Sequence, residues 1–215
     1  MSTRYHPAHD LELAMTTPRD LLIVTMDVKA DRPVEQGDLS LALAAAELVD
    51  LIDAHALTLD GDGIVPGPPT NPDDRLLHEA ASSLTRQPPH ESVEDWLWRR
   101  GRGLHSAYLA AMETEGQLTR RRRRWNPLVT DETELVDSPA RRRAADRWTS
   151  GEPVLAALAA AVGVRHEPAP DLADLTDDAT ETVLAAVNEA VTELEAVRQR
   201  RRIEEAAFDN IWRGQ

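Results

Sequence analysis

Residues 38–59 run DLSLALAAAELVDLIDAHALTL, and this stretch decides the fold class. Its apolar residues recur three and four positions apart, which is the spacing of one face of an α-helix. Glu47, Asp50 and Asp53 recur on the opposite side, where we expect a solvated acidic stripe. The stretch therefore predicts a helix that buries one face. The residues of that apolar face are Leu39, Leu43, Leu48, Leu51 and Ile52.

The composition of the whole chain favours the same architecture. Of 215 residues, 41% are hydrophobic but only 4% are aromatic, so Ala, Leu and Val must supply the core. These residues suit close helix packing better than short aromatic-rich strands. A continuous helical pattern over 176–208 adds a long C-terminal helix. We expect a mostly all-α protein, built as a helical bundle.

The chain has no cysteine, which excludes disulfides, thiolate chemistry and zinc sites built on sulfur. The longest apolar runs, at 39–46 and 154–164, are far shorter than the roughly 20 residues of a spanning helix. The first 20 residues contain no signal-peptide pattern. We therefore expect a soluble, cytoplasmic protein without a transmembrane segment, whose membrane contact is at most peripheral, at the inner membrane face.

Searches for catalytic and metal-binding motifs find nothing complete. The DGDG turn at 60–63 lacks the later ligands of a calcium loop. His78 and Glu79 resemble the start of a zinc-protease helix, but Ser82 stands where the second histidine belongs. No nucleophile elbow, Walker loop or dinucleotide-binding glycine motif is present. We expect no enzymatic activity, no cofactor and no metal.

Compact groups of arginine stand out in a chain whose net charge is -14. The planar guanidinium fork suits bidentate contacts with phosphates or carboxylates. Two interpretations stay open for each group, namely an anionic ligand or the chain's own acids. The groups are Arg99, Arg100 and Arg102, then Arg120–Arg124, Arg141–Arg143, and Arg198 with Arg200–Arg202.

Several segments, in their order along the chain, resemble the Golgi phosphoprotein 3 family, and in particular its bacterial members. RDLLIVTMD at 19–27 looks like the family's opening segment, and 46–65 resembles its leucine-rich helix, strand and turn. Residues 108–124 and 154–164 resemble the helix before the family's hairpin and a late helix. The most specific match is a Pro-Thr, Leu-x-Glu-Ala and later Trp pattern, here Pro69, Thr70, Leu77, Glu79, Ala80 and Trp96.

The resemblance implies a helical bundle with one protruding β-hairpin, at about 117–137, and a non-enzymatic role. It also implies recognition of phosphatidylinositol 4-phosphate by a shallow basic pocket, which in eukaryotic members uses a tryptophan and three arginines. Alignment through the motifs places Glu35 at the tryptophan, Ala44 at the first arginine, and Arg102 and His105 at the other two. The pocket is thus degenerate in this chain, with only Arg102 retained.

The expected organisation is a flexible lead-in (1–16), a Golgi phosphoprotein 3-like helical domain (17–167), and a linker with the long C-terminal helix (168–215). We expect peripheral binding of anionic lipid headgroups, with alternate hairpin arginines facing one side. The expected site residues are Arg99, Arg100, Arg102, His105, Arg120, Arg122 and Arg124.

A second hypothesis is a cytosolic interaction module without lipid binding. It would form a homo-oligomer through the hairpin or through an apolar seam on the C-terminal helix, made of Val183, Val187, Val191 and Leu194. Nucleic-acid binding through the RRRRRW segment at 120–125 has suitable local chemistry, because Trp125 could stack on a base. The acidic balance of the chain makes nucleic acid an unlikely partner.

Overall fold

The computed structural model describes residues 16–30, 33–121, 132–165 and 177–213, with the backbone alone at 120–121, 132 and 206–213. The predicted mostly α-helical bundle with a long C-terminal helix is confirmed within these residues. The elements are α1 (Thr17–Asp27), α2 (Gln36–Asp53), β1 (Leu57–Asp60), β2 (Gly63–Pro66), α3 (Arg75–Ser82), α4 (Val93–Arg100), α5 (Leu104–Thr114), β3 (Leu118–Arg121), β4 (Glu132–Leu135), α6 (Pro139–Thr149), α7 (Pro153–Ala161) and α8 (Asp178–Arg213).

Helix α2 lies at the centre of the bundle. It packs against α1, α3, α4, α5, α7 and α8, and the five consecutive residues from Ala42 to Ala46 are completely buried. A helix that is covered on all sides must be apolar all round, and its alanines let the neighbouring helices approach closely. The predicted apolar face is confirmed, but burial extends well beyond it.

The acidic stripe predicted for α2 is wrong at two of its three positions. Glu47 is fully buried and accepts hydrogen bonds from Arg100 at 2.7 and 2.8 Å and from the Tyr108 hydroxyl at 3.0 Å. Asp50 is largely buried and accepts the backbone N–H of Thr17 at 2.8 Å. Only Asp53 is exposed. Because α2 is surrounded, its carboxylates need partners from neighbouring helices rather than water.

A second buried arginine connects three more elements. Arg19 of α1 donates to Asp74 and, at 2.5 and 2.8 Å, to Glu115 just after α5. The other oxygen of Asp74 accepts the Leu77 N–H at 2.8 Å and so caps α3. Arg19 therefore fixes α1 to the start of α3 and to the residues that lead into β3.

Two antiparallel hairpins accompany the helices. In the first, β1 and β2 are joined by a turn in which Gly61 adopts a φ of 61°, a conformation that glycine adopts without strain. In the second, Leu118 pairs with Leu135 and Arg121 with Glu132. The predicted hairpin at 117–137 thus forms at its base. The predicted site residues Arg122 and Arg124, and Trp125, lie outside the described residues.

The apolar face of α8 packs inside this chain. Val183 and Val187 are fully buried and Val191 is nearly so, since α8 lies against α2, α4 and α7. Three of the four residues of the seam predicted for a helix-mediated oligomer are therefore covered within the chain, and the fourth, Leu194, is half-buried. None of the helices in the described ranges combines the length and apolarity needed to cross a bilayer.

Removing the positive charge of Arg100 beside Glu47 should destabilise the fold. Arg100→Met leaves a fully buried carboxylate without its partner, so we expect the free energy of unfolding to fall by about 3–5 kcal/mol. Urea denaturation at pH 7 measures this loss. Arg142→Met is the matched control, because Arg142 and its partner Asp137 are both largely exposed, and such pairs contribute at most about 1 kcal/mol. Equal losses in the two variants would contradict the central role of the Glu47–Arg100 pair.

The buried carboxylate of Asp50 should make stability depend on pH. Burial raises the pKa of Asp50 to about 7, so the folded state binds this proton more tightly than the unfolded chain does. The charged form therefore costs stability above pH 7, and that cost disappears as the pH falls towards 4. Asparagine keeps the acceptor oxygen for Thr17 but has no charge.

We expect Asp50→Asn to raise the free energy of unfolding by about 1–3 kcal/mol at pH 8. The gain should shrink steadily as the pH is lowered, in urea denaturation series at several pH values. Asp60→Asn, on an exposed strand residue, serves as the control. A gain that stays constant from pH 8 to pH 4 would show that charge burial is not its cause.

Candidate functional site

The three arginines of the 99–102 group have different environments. Arg100 points inwards to Glu47 and also donates to the Leu76 carbonyl at 2.9 Å. Arg99 holds Glu91 in a bidentate pair at 2.6 and 2.7 Å. Arg102 is exposed and, among the described residues, makes no ion pair or hydrogen bond. Arg99 and Arg100 are thus bound to the chain's own acids, which leaves Arg102 available for an external anion.

Arg102 borders a cavity of about 300 Å³ between the first turns of α2 and α5. The side chain of Trp98 on α4 and that of Leu194 on α8 complete its walls. Three regions that are distant in sequence, 36–41, 98–106 and α8 at Leu194, therefore meet at this cavity. Its lining consists of Gln36, Gly37, Ser40, Leu41, Trp98, Gly101, Arg102, Gly103, His105, Ser106 and Leu194.

Two glycines shape the turn that carries Arg102. Gly103 adopts a φ of 72° as the N-cap of α5, a left-handed conformation that L side chains rarely adopt. At Gly101 an added Cβ would lie 2.6 Å from the Leu97 carbonyl and 3.3 Å from that of Ser40. The end of α4 can therefore approach α2 closely, and the chain reverses within a few residues. Arg102 and His105 consequently face the same cavity.

The cavity offers several groups that suit an anion. The first turns of α2 and α5 both border it, and the N-cap residue of neither helix makes a side-chain cap, so the partial positive charge of both helix starts lies beside the cavity. The Ser40 hydroxyl accepts the His105 backbone N–H at 3.2 Å. Among the described residues the buried Nδ1 of His105 has no hydrogen-bond partner, and burial lowers the pKa of His105. The imidazole is therefore neutral at pH 7, and Arg102 supplies the positive charge of the lining.

The structure places two expected pocket positions outside the cavity. The Glu35 carboxylate lies 3.6 Å from the Arg198 guanidinium, and Glu35 is not part of the lining. Ala44 is fully buried, and its carbonyl accepts the Trp96 indole N–H at 3.3 Å. A glutamate at position 35 therefore does not block the cavity, and residue 44 belongs to the core.

Sequence reasoning missed several residues of the cavity. The most notable is Trp98, whose position four residues before Arg102 places both on one side of α4 and the following turn. That spacing was a usable signal. Gln36, Ser40 and Ser106 carry no such signal, since single polar residues at helix starts are common. Of the predicted hairpin residues, Arg120 is described by its backbone in β3 alone, so the described part of the chain does not place hairpin charges at the cavity.

Comparison with protein-family models gives a match to Golgi phosphoprotein 3 (GPP34) over residues 18–203. The chain belongs to this family. The resemblance drawn from 19–164 is confirmed, and the match to the Golgi phosphoprotein 3 model also includes α8 as far as Ile203. Every residue that lines the cavity lies within the matched range. A search of curated proteins found no match.

Proposed function

We propose that this protein is a non-catalytic, peripheral membrane protein that binds the phosphate of an anionic lipid headgroup in the cavity between α2 and α5. One observation carries the proposal: Arg102 borders a cavity and has no ion-pair partner among the described residues, in a chain with a net charge of -14. An exposed arginine that borders a cavity, and that pairs with none of the described acids, is positioned for an external anion. Membership of the Golgi phosphoprotein 3 family supports the same interpretation.

The lining supports binding of a phosphate carried on a polar group. Arg102 supplies a planar fork that can hold two phosphate oxygens. The positive ends of α2 and α5 add to its attraction, and the hydroxyls of Ser40 and Ser106 add hydrogen-bonding capacity. Trp98 supplies an aromatic wall that can pack against the carbon skeleton of a headgroup. Phosphatidylinositol 4-phosphate, the ligand implied by the family resemblance, has both a phosphate and the carbon skeleton of a polar headgroup.

The neutral His105 sets the expected strength of binding. One arginine, two helix ends and neutral donors make a weaker site than a pocket with three arginines, because charge-assisted contacts are about twice as strong as neutral ones. The site should therefore prefer anionic over neutral lipids without strong selectivity among phosphorylated headgroups. The cytoplasmic location and peripheral attachment at the inner membrane face stay predictions of this proposal.

Replacing Arg102 should remove most of the headgroup affinity. The probes are phosphatidylcholine vesicles with and without phosphatidylinositol 4-phosphate, and glycerol 1-phosphate as a water-soluble headgroup. A charge-assisted contact contributes about 1.5–3 kcal/mol, so we expect Arg102→Gln to weaken binding of both phosphate probes by about tenfold to a hundredfold. Co-sedimentation and calorimetric titration measure the two affinities.

Arg99→Gln is the control, since it makes the same charge change on a neighbouring arginine that is already paired with Glu91. It should leave both affinities nearly unchanged, and thermal unfolding should show that both variants stay folded. Equal binding of the wild-type protein to neutral and anionic vesicles would remove the lipid proposal. Equal affinities of wild type and Arg102→Gln for glycerol 1-phosphate would remove the assignment of the cavity.

A further inference from the structure

Helix α8 is attached to the rim of the cavity by an ion-pair cluster. Leu194 forms part of the cavity wall, and Arg198, one turn further along α8, donates to Asp38 in the first turn of α2. The second guanidinium nitrogen of Arg198 lies 3.6 Å from Glu35, the N-cap residue of α2. Asp38 is almost fully buried, so this cluster fixes the position of α8 relative to the cavity.

The next turn of α8 carries two arginines on the same side of the helix. Arg201 and Arg202 follow Leu194 by seven and eight residues and Arg198 by three and four, which is the spacing of one helical face. They stand about 5–6 Å further along the axis than Arg198. Both side chains are exposed, and neither makes an ion pair or hydrogen bond in the described part of the chain. We call Arg201 and Arg202 the basic face of α8.

The charges at the rim show what the basic face contributes. The carboxylates of Glu35 and Asp38 offset Arg198 and Arg102, so without the basic face the rim would carry no excess of positive charge. The next acids along α8, Glu204 and Glu205, lie about one turn beyond the two arginines, and no pair joins them within the described part of the chain. A neutral rim on a chain with a net charge of -14 would be repelled by an anionic surface. Arg201 and Arg202 add two exposed positive charges beside this rim.

We propose that the basic face of α8 is a second membrane contact, which binds the anionic headgroups of the bilayer next to the lipid held in the cavity. The inference rests on the proposed function, because it takes the cavity to open towards a lipid surface. The occupant is a bilayer because the two arginines lie on an exposed helix face beside the cavity and not inside a pocket. A bilayer presents many headgroup phosphates to such a face at once. Two weak contacts on one surface then reinforce each other.

The test compares two variants that lose the same charge. Arg201→Gln/Arg202→Gln removes the basic face. Arg165→Gln/Arg200→Gln is the matched control, since both arginines are exposed and hold no carboxylate in the described structure, and Arg200 points away from the side that carries Arg198. Binding is measured by co-sedimentation with phosphatidylglycerol–phosphatidylcholine vesicles and with phosphatidylcholine vesicles alone.

We expect the basic-face variant to bind phosphatidylglycerol vesicles about thirtyfold more weakly than the wild type, since each arginine at an anionic surface contributes about a factor of five. The control should change by less than about twofold, in the range of isolated surface charges. Affinity for glycerol 1-phosphate should be unchanged in the basic-face variant, because the cavity keeps Arg102. That combination separates a surface contact from the headgroup site.

Other outcomes overturn the inference in distinguishable ways. Equal vesicle binding by the basic-face variant and the control refutes the second contact while leaving the cavity proposal intact. Loss of glycerol 1-phosphate binding in the basic-face variant would show that the arginines act in the cavity itself. Wild-type protein that binds neither vesicle while still binding glycerol 1-phosphate refutes the membrane as partner. Binding of a single-stranded oligonucleotide is measured as well. If the basic-face variant keeps wild-type vesicle binding but loses oligonucleotide binding, the basic face contacts nucleic acid instead of a bilayer.

Discussion

The burial of Glu47 on the central helix is the constraint on which the rest of the structure depends. A carboxylate without solvent contact is stable in a core only when it is paired and hydrogen-bonded. Arg100 and Tyr108 satisfy Glu47 and thereby hold α4 and α5 against α2. Since residues two apart on a helix point in different directions, an Arg100 that faces inwards leaves Arg102 facing outwards. The interaction that stabilises the core thus also orients the charge at the cavity.

The same principle explains why an acidic chain contains so many arginines. Arg19 joins α1 to Asp74 and Glu115, and Arg147 of α6 joins Asp20 of α1 to Glu152 at the start of α7. An alanine-rich core gives little side-chain volume to lock helices in place, and bidentate ion pairs add the directional contacts that it lacks. Arginines that hold an internal acid are therefore structural. Arginines near the cavity that pair with none of the described acids are the candidates for binding an external anion.

The sequence predicts the parts of this fold that depend on local patterns. The periodicity of 38–59 predicts α2, and the valine spacing of 183–191 predicts an apolar face on α8. It does not predict which surface covers that face, because the partners on α2, α4 and α7 come from elsewhere in the chain. The burial of Glu47 was missed for the same reason, since Arg100 lies 53 residues away. Arg102 and His105 were found through family motifs, whereas Trp98 was missed although it lies four residues, about one helical turn, before Arg102.

The start of α2 imposes a cost on anion binding that the surrounding charges have to offset. Glu35 and Asp38 place two carboxylates at a helix end that would otherwise attract an anion. Arg198 binds both, which offsets part of their charge and holds the two carboxylates away from the cavity. A ligand then meets Arg102 and the first turns of α2 and α5 without a competing carboxylate in the lining. With His105 neutral, such a site is weak alone, and firm attachment to a surface must combine it with contacts outside the cavity.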